Sequence, residues 1–361
     1  MSALPSRQTA FFLESKFGNF AVRTTDVGQP GPGQLLIKVE AAALNLIDWK
    51  VQAHNALDLV ETYPSVQGWD LSGTVVAVGE GISAFVVGDR VVSQARYDPT
   101  QRALYGTFIQ YFIADATFVA KIPAIIAFEE AATVLAGLAS ASLPLYNQDE
   151  AASSAKLIPP WLEDGRQRYA GKPIFILGGA TSVGQYVLQL AHLSGFSPIV
   201  TSASLQNSEL LRSLGATHVL DRTLPADTLQ AETTRIAGGA FELVYDAVSL
   251  PETLGLTYAL TAPRGDLVIV LPAKEIQEAA AKDSDMKRVH VVLGVMSVPL
   301  NVDASRSLLD NLPELLESGK IKPNRVEVIP GGLDGIVGGL ERLQNDQVHA
   351  VKLVVRPHDT S

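Results

Sequence analysis

Pro173-Ile174-Phe175-Ile176-Leu177-Gly178-Gly179-Ala180-Thr181-Ser182-Val183-Gly184 is the stretch on which the fold turns. A short apolar run ends in two glycines, and apolar residues then recur at helical spacing through Val183, Val187, Leu188, Leu190 and Ala191. That pattern predicts a buried parallel strand, a tight turn and a helix. The first N–H groups of such a helix have no partner within it, and with the helix dipole they favour an anion. A dinucleotide pyrophosphate on this turn is the expectation. Gly179 and Gly184 keep the outer glycines of the dinucleotide fingerprint, while Thr181 stands where the middle one belongs. Glycine-rich turns after strands also occur for purely structural reasons, so the flanking sequence has to decide.

Downstream, strand-like and helix-like segments alternate. Strands are expected at 198–201, 218–220, 243–246, 267–271 and 289–293, with helices at 183–194, 207–214 and 251–260. Such alternation implies a doubly wound parallel sheet of Rossmann type. In that fold the second strand ends in Asp or Glu when the ribose carries a free 2′-hydroxyl. Here Ile199-Val200 leads into Thr201-Ser202-Ala203-Ser204, with no carboxylate. Small hydroxyl residues leave room for a 2′-phosphate, and Arg222 and Arg212 are candidates to supply charge, so NADPH is preferred to NADH. Ser202 and Ser204 also suit the cap of the next helix, which is compatible but does not explain the missing acid.

Upstream, residues 9–130 read as β-rich. Pro30-Gly31-Pro32-Gly33 turns into a strand at 34–40, and further strands are expected at 73–79, 88–92 and 107–114. Short strands between turns suggest a barrel-like domain. From Phe128 to Tyr146 the spacing becomes helical, and 147–171, with Pro159-Pro160 and several charges, reads as an exposed connection. A helix at 305–317 and a strand at 351–355 close the chain. The expected division is 1–130, then 131–305 as the cofactor domain, then 306–361 as a return segment completing the first domain. The apolar 289–302 stretch suits an edge strand pairing between subunits of a homodimer, or internal pairing in a monomer.

Composition narrows the chemistry. With 47% hydrophobic and 18% charged residues over 361 positions, a large core is assured. A formal net charge of -10 gives no general attraction for nucleic acid or anionic lipid. The chain has no cysteine, which excludes disulfides, thiolate catalysis and cysteine-ligated zinc. Six histidines show no HxxxH spacing, so no metal is expected. Residues 1–16 lack the pattern of a signal peptide, and no run of about 18 apolar residues is present. A soluble, cytoplasmic protein is the plain reading.

Several motifs occur in a fixed order: Pro30-Gly31-Pro32-Gly33, Ala43-Leu44-Asn45-Leu46-Ile47-Asp48-Trp49-Lys50, Gly68-Trp69-Asp70-Leu71-Ser72-Gly73, Val87-Gly88-Asp89-Arg90-Val91, the glycine turn, Ser213-Leu214-Gly215-Ala216 and Lys352-Leu353-Val354-Val355. Together they resemble the medium-chain dehydrogenase/reductase superfamily over nearly the whole chain. The resemblance implies a GroES-like catalytic domain joined to a Rossmann domain. Zinc-dependent members place a cysteine near Ile47 and a histidine at Trp69, so the likeness is to the zinc-independent branch. Within it, the chain most resembles fungal enoyl reductases that act in trans with polyketide synthases in secondary metabolism, and quinone oxidoreductase-like proteins. By that resemblance the NADPH site comprises Ile47-Asp48-Trp49-Lys50, Gly179 to Gly184 (with Ala180, Thr181, Ser182 and Val183), Ser204-Leu205-Gln206-Asn207, Arg222, Leu271-Pro272 and His349-Ala350. The substrate cleft comprises Leu135-Ala136-Gly137-Leu138-Ala139-Ser140-Ala141-Ser142 and Val295-Met296-Ser297-Val298-Pro299. The enoyl reductases carry tyrosine at Arg222 and Ser-Gly at His349-Ala350.

Reduction of an activated alkene needs hydride at the β-carbon, stabilisation of the resulting enolate and a proton at the α-carbon. Lys50 is the candidate for holding the nicotinamide ribose and polarising the site. Asp48 reads as a structural acceptor, because an unperturbed aspartate is ionised at neutral pH. Trp49 reads as packing, and His54 and Tyr63 are alternative proton donors or ordinary loop residues. The expected function is an NADPH-dependent, zinc-independent reductase of an activated C=C bond. A quinone or α,β-unsaturated carbonyl reductase and a non-catalytic NADPH-binding protein are the alternatives.

Overall fold

The computed structural model describes residues 4–56, 60–98 and 100–361. It divides into two units, residues 1–136 with 295–361, and residues 137–294. The expected divisions at 130 and 305 thus lie some residues from the observed ones, and residues 295–305 group with the first unit.

In the first unit, strand Gln34–Ala43 is the centre of a seven-stranded sheet. Its inward residues Leu35, Ile37 and Val39 join Phe11, Leu71, Val75, Phe108, Phe112 and Leu353 in one core. Lys38 and Glu40 face outward and pair at 3.0 Å. Strand Asp70–Val78 runs antiparallel beside it, and Ala43 is opposite Asp70. On the other side lies Lys352–Val355, antiparallel, with Val354 opposite Ala43. The last strand of the chain therefore returns to the first unit's sheet, beside one of the earliest strands. Parallel to it runs Val326–Val328, which the sequence pattern did not reveal.

The strand expected at 107–114 is shorter, Tyr111–Asp115. The cause is a close crossing: a side chain at Gly106 would strike the carbonyls of Gln67 and Val66, and Thr107 N–H bonds to Gly68 O at 3.2 Å. The backbone there serves a different neighbour. The helical run from Phe128 also breaks, giving Phe128–Ala131 and Leu135–Tyr146.

The second unit holds a six-stranded sheet in the spatial order His218–Asp221, Ile199–Ala203, Ile174–Leu177, Phe241–Asp246, Thr261–Ile269, Arg288–Val291. Every neighbouring pair is parallel. Ile174–Leu177 is buried at all its positions, which is why it reads as an uninterrupted apolar run. Two helices not anticipated, Ala226–Ala237 and Lys274–Lys282, join successive strands.

The segment 147–171 is largely exposed, as expected, but it is not a free connection. Trp161 is 9% exposed and packs edge-on against Tyr146, and Tyr169 stacks on Phe196. Its Ser153 hydroxyl accepts from the N–H of Val291 on the edge strand of the sheet, at 3.2 Å. Pro and charge density marked an irregular path, but the aromatics anchor that path to the domain.

Candidate functional site

At the C-terminal end of Ile174–Leu177 the chain makes the turn whose glycines are sterically required. Gly178 has φ 80°, the left-handed region. A Cβ on Gly179 would collide with the Thr201 hydroxyl of the adjacent strand, and one on Gly184 would collide with the Gly178 carbonyl. Both outer glycines are therefore fixed by close approach of turn, strand and helix. Helix Ser182–Ser194 starts at once, with Thr181 as its N-cap. The Thr181 hydroxyl oxygen accepts from Gly184 N–H at 2.9 Å, so the residue replacing the middle glycine caps the helix. Gly179 N–H bonds to Ser202 O at 3.3 Å and Thr181 N–H to Gly178 O at 2.9 Å, so the shape of the turn is held from within.

The register places Leu177 beside Ser202 and Ala203 beside Asp221, so Ser204 and Arg222 leave the same edge of the sheet as the glycine turn. Arg222 N–H bonds to Ala203 O at 3.0 Å, and its side chain is exposed. After Ala203 the chain turns through Leu205–Asn207, which hold no carboxylate, into helix Ser208–Ser213, whose first turn carries Glu209. Ser202 is 3% exposed and sits inside the strand, so Ser204 is the hydroxyl left at the sheet edge. Arg212 does not join them. Its guanidinium donates to Thr217 O at 3.0 Å, just before strand His218–Asp221 and thus at the opposite end of the sheet. Leu271 and Pro272 follow the end of Thr261–Ile269 on the turn-bearing edge.

The residues 137–142 lie along helix Leu135–Tyr146, where Gly137 abuts the Tyr186 ring. Pro144 removes the N–H that Ser140 O would accept in a regular helix. Tyr245, fully buried, donates its hydroxyl to that carbonyl at 2.7 Å. In the first unit, Met296 N–H donates to Gln94 Oε1 at 2.9 Å and Ser297 Oγ accepts from Tyr97 N–H at 3.2 Å. Val295, Met296 and Val298 are buried, while Pro299 is exposed.

The first unit also assembles a group of polar side chains that spacing alone did not reveal. Helix Leu46–His54 is capped by Asn45, and Asp48 in its first turn accepts from Asn45 N–H at 2.7 Å. The Asn45 side chain donates to Asp70 Oδ2 at 3.1 Å and accepts from Lys352 Nζ at 2.6 Å. Asp70 Oδ1 accepts from Ala136 N–H at 2.6 Å, at the start of the helix that breaks the 128–146 run. Lys352 Nζ lies 3.4 Å from Asp70 Oδ2. Asp48, Asp70 and Lys352 are all at most 5% exposed. Burial pushes the Asp48 carboxyl up to about 8, against the opposing pull of Asn45 N–H and Lys352. Burial raises Asp70 as well. Asp48 is thus the structural acceptor expected, taking the Asn45 N–H, while burial rather than that hydrogen bond dominates its carboxyl and raises it. Adjacent positions are more open. Lys50 is half-buried, its ammonium is pulled down by that burial, and its Nζ lies 5.7 Å from the centre of the Trp49 ring. Tyr63 spends its hydroxyl on Val60 O, at 2.9 Å, and His54 is exposed and edge-on to Trp49. His349 is exposed, and Ala350 has φ 54°.

One unit with a six-stranded parallel sheet and a glycine-bound helix start, and another that is β-rich and closed by the chain's last strand, are the two units of a dehydrogenase. Residues 31–124 match the alcohol dehydrogenase GroES-like domain, and residues 182–311 match the zinc-binding dehydrogenase family. A trans-enoyl reductase of Pyricularia oryzae, RAP1, is 30% identical over 98% of this chain and 99% of its own. An alcohol dehydrogenase superfamily protein from Novosphingobium aromaticivorans superposes with TM-score 0.77 at 25% identity, over 97% of this chain and 99% of its own. Crotonyl-CoA carboxylase/reductase AntE, solved in complex with NADP, has the same fold, with TM-score 0.75 at 20% identity over 98% of this chain and 95% of its own. The chain belongs to the zinc-binding dehydrogenase, or medium-chain dehydrogenase/reductase, superfamily of oxidoreductases. The zinc in that family name does not fit the residues present. Ile47 and Trp69 stand where ligands would, and among the described residues no three His, Asp or Glu side chains converge. No helix among the described residues is long and apolar enough to cross a membrane.

Proposed function

We propose that this protein is an NADPH-dependent, zinc-independent reductase of an activated C=C bond, an enoyl reductase working in trans with a polyketide synthase. The observation that carries the cofactor is the sheet edge at the glycine turn, where Ser204 and Arg222 stand in place of a carboxylate. Gly179 and Gly184 admit the pyrophosphate to the backbone N–H groups, and the exposed Arg222 supplies charge for a 2′-phosphate. When bound, NADPH supplies a hydride for the β-carbon of the alkene. Lys50, whose ammonium is destabilised by half-burial, holds a ribose hydroxyl and polarises the site. Kinship over full length to a trans-enoyl reductase supports the enoyl substrate and the synthase partner.

The test is NADPH consumption with enoyl thioesters, enones and quinones in parallel. Turnover of enoyl thioesters ahead of the others is expected. Preference for quinones would move the protein to the detoxifying reductases, and tight NADPH binding without turnover would make it a non-catalytic binder. Quenching of intrinsic fluorescence by NADH as strong as by NADPH would overturn the role given to Ser204 and Arg222.

A further inference from the structure

Turn tips on protein surfaces are usually built from Gly, Pro, Asn, Asp and Ser. Two neighbouring turns of the first unit break that rule. Phe85-Val86-Val87-Gly88-Asp89 leads into strand Arg90–Gln94, and Pro123-Ala124-Ile125-Ile126 follows strand Val119–Lys121. The two strands pair antiparallel with Val91 opposite Lys121, so both turns stand at one end of the pair. Among the large hydrophobic residues described, Ile125 at 73% and Val86 at 61% are the most exposed, and Val87 is exposed beside them. Single apolar residues on a surface are ordinary, but three on adjoining turns mark an interaction site.

The core does not account for them. Phe85 packs against the first unit's core, which leaves Val86 and Val87 outside it. Nor are the tips loose. Asp89 Oδ2 accepts from Val86 N–H at 2.9 Å and faces Lys121 Nζ at 3.0 Å, which ties the first turn to the second strand. Arg90 donates to Pro123 O at 3.1 Å and to Ile126 O at 2.6 Å, which ties the second turn to the first strand. The cations here are thus engaged, whereas Glu130, which accepts from Ala127 N–H at 2.9 Å, stands exposed at the rim. Apolar tips already held in place lose little freedom when a partner covers them.

Resting on the reading of this protein as a reductase that works in trans, we infer that Val86, Val87 and Ile125 are the anchor by which it docks on its synthase partner. The partner presents an apolar pocket with a basic rim. A second copy of this chain fits less well on two counts. A lasting dimer buries about 800 Å² on each partner, far more than three side chains supply, whereas a contact made and broken in trans is smaller. Each copy also carries a formal net charge of -10, so two copies repel while a basic rim is drawn in.

A photoactivatable cross-linker at Val87, in the full chain expressed in its own host, identifies the occupant. The expected adduct, assigned by mass spectrometry, is with a polyketide synthase. Val86→Lys with Ile125→Lys should lower its yield by about tenfold or more, as loss of a docking anchor does. Val86→Leu with Ile125→Val, which keep the tips apolar, should retain it. The lysine variant should keep the wild-type unfolding midpoint and the wild-type NADPH turnover of an enoyl N-acetylcysteamine thioester, a substrate that needs no docking. An adduct with a second copy, with any other protein or with nothing overturns the inference. So does an undiminished yield in the lysine variant, a loss of its thioester turnover, or an equal yield from a cross-linker at Val337, an exposed position on helix Ile336–Gln344. The reductase reading fails separately: wild type that turns over no enoyl thioester sinks that reading, while the adduct still reports what covers the patch.

Discussion

The glycine turn of the second unit and the charge cluster of the first hold their geometry by different means. The turn is local. Its residues lie within about one strand and one helix of each other, and its shape follows from what a Cβ would strike at Gly179 and Gly184. The cluster is assembled from residues 45, 48, 70, 136 and 352, brought together because Ala43 is opposite both Asp70 and Val354 in the sheet. A local device is held by sterics and survives the loss of any distant contact. A non-local one is held by charge balance, and a single substitution leaves the remaining charges stranded. The two should therefore differ in how much they lose on mutation, and in whether pH alters that loss.

The largest effect is expected from Lys352→Met. Removing the cation that faces buried Asp70 costs about 3–5 kcal/mol, because the carboxylate left behind has no counter-charge. Chemical denaturation across pH gives the sign. Burial raises the folded Asp48 carboxyl from the ordinary aspartate range to about 8. The stability linked to its proton is thus fully present below about 4 and is lost as pH rises toward 8. Wild type should lose about 1.4 kcal/mol per pH unit from this one proton within that window. Asp48→Asn should flatten the profile, and Lys352→Met should steepen it, since Asp70 then needs a proton too. A wild-type profile as flat as that of Asp48→Asn would show that the cluster stays ionised.

Gly184→Ala tests the other side of the comparison. The added Cβ meets the Gly178 carbonyl, which is backbone and has little room to move, so a loss of about 1–3 kcal/mol is expected. NADPH affinity should fall with it. The loss should not depend on pH, because no titrating group is involved. A pH-dependent loss would tie the turn to the charge cluster and end the distinction drawn above.

That contrast also explains what the sequence could disclose. The turn was legible because strand, glycines and helix are contiguous, and Ile174–Leu177 is buried on both faces and so reads as an unbroken apolar run. The missing carboxylate after Ala203 was equally plain. Asp48, Asp70 and Lys352 each sat in a recognised motif, but motif order does not say that Ala43 is flanked by Asp70 on one side and Val354 on the other. Without that register the burial of Asp48, and the upward pull that burial exerts on its carboxyl, could not be foreseen. Arg212 was misplaced for a related reason: its place on a short helix did not reveal which end of the sheet its guanidinium reaches. Trp161 and Tyr169 were hidden by the charges around them, so the anchoring of 147–171 did not show.

Tyr245→Phe gives an intermediate case, a contact that is non-local yet uncharged. Loss of the hydroxyl strands the Ser140 carbonyl that Pro144 had already deprived of its helical donor, which should cost about 1–3 kcal/mol. Pro144→Ala restores an N–H to that carbonyl. The double variant should therefore recover part of the loss, seen as a coupling energy in a double-mutant cycle of thermal unfolding. Additive losses would show that Tyr245 acts through packing alone.

The smallest effect concerns Ala350, two residues before Lys352. Its φ of 54° is the left-handed region, which disfavours a side chain by about 1–2 kcal/mol. The enoyl reductases it resembles have glycine there, as the backbone conformation would favour. Ala350→Gly relieves that cost but frees the unfolded chain, an opposing entropy of about 0.4–1 kcal/mol. A net gain of about 0–1 kcal/mol is expected, a rise of a few degrees at most in the unfolding midpoint. If Ala350 instead holds strand Lys352–Val355 in register, glycine would loosen Lys352, and the pH profile of stability would flatten toward that of Asp48→Asn. A small gain with an unchanged pH profile would assign Ala350 to local strain and leave the cluster anchored by the sheet alone.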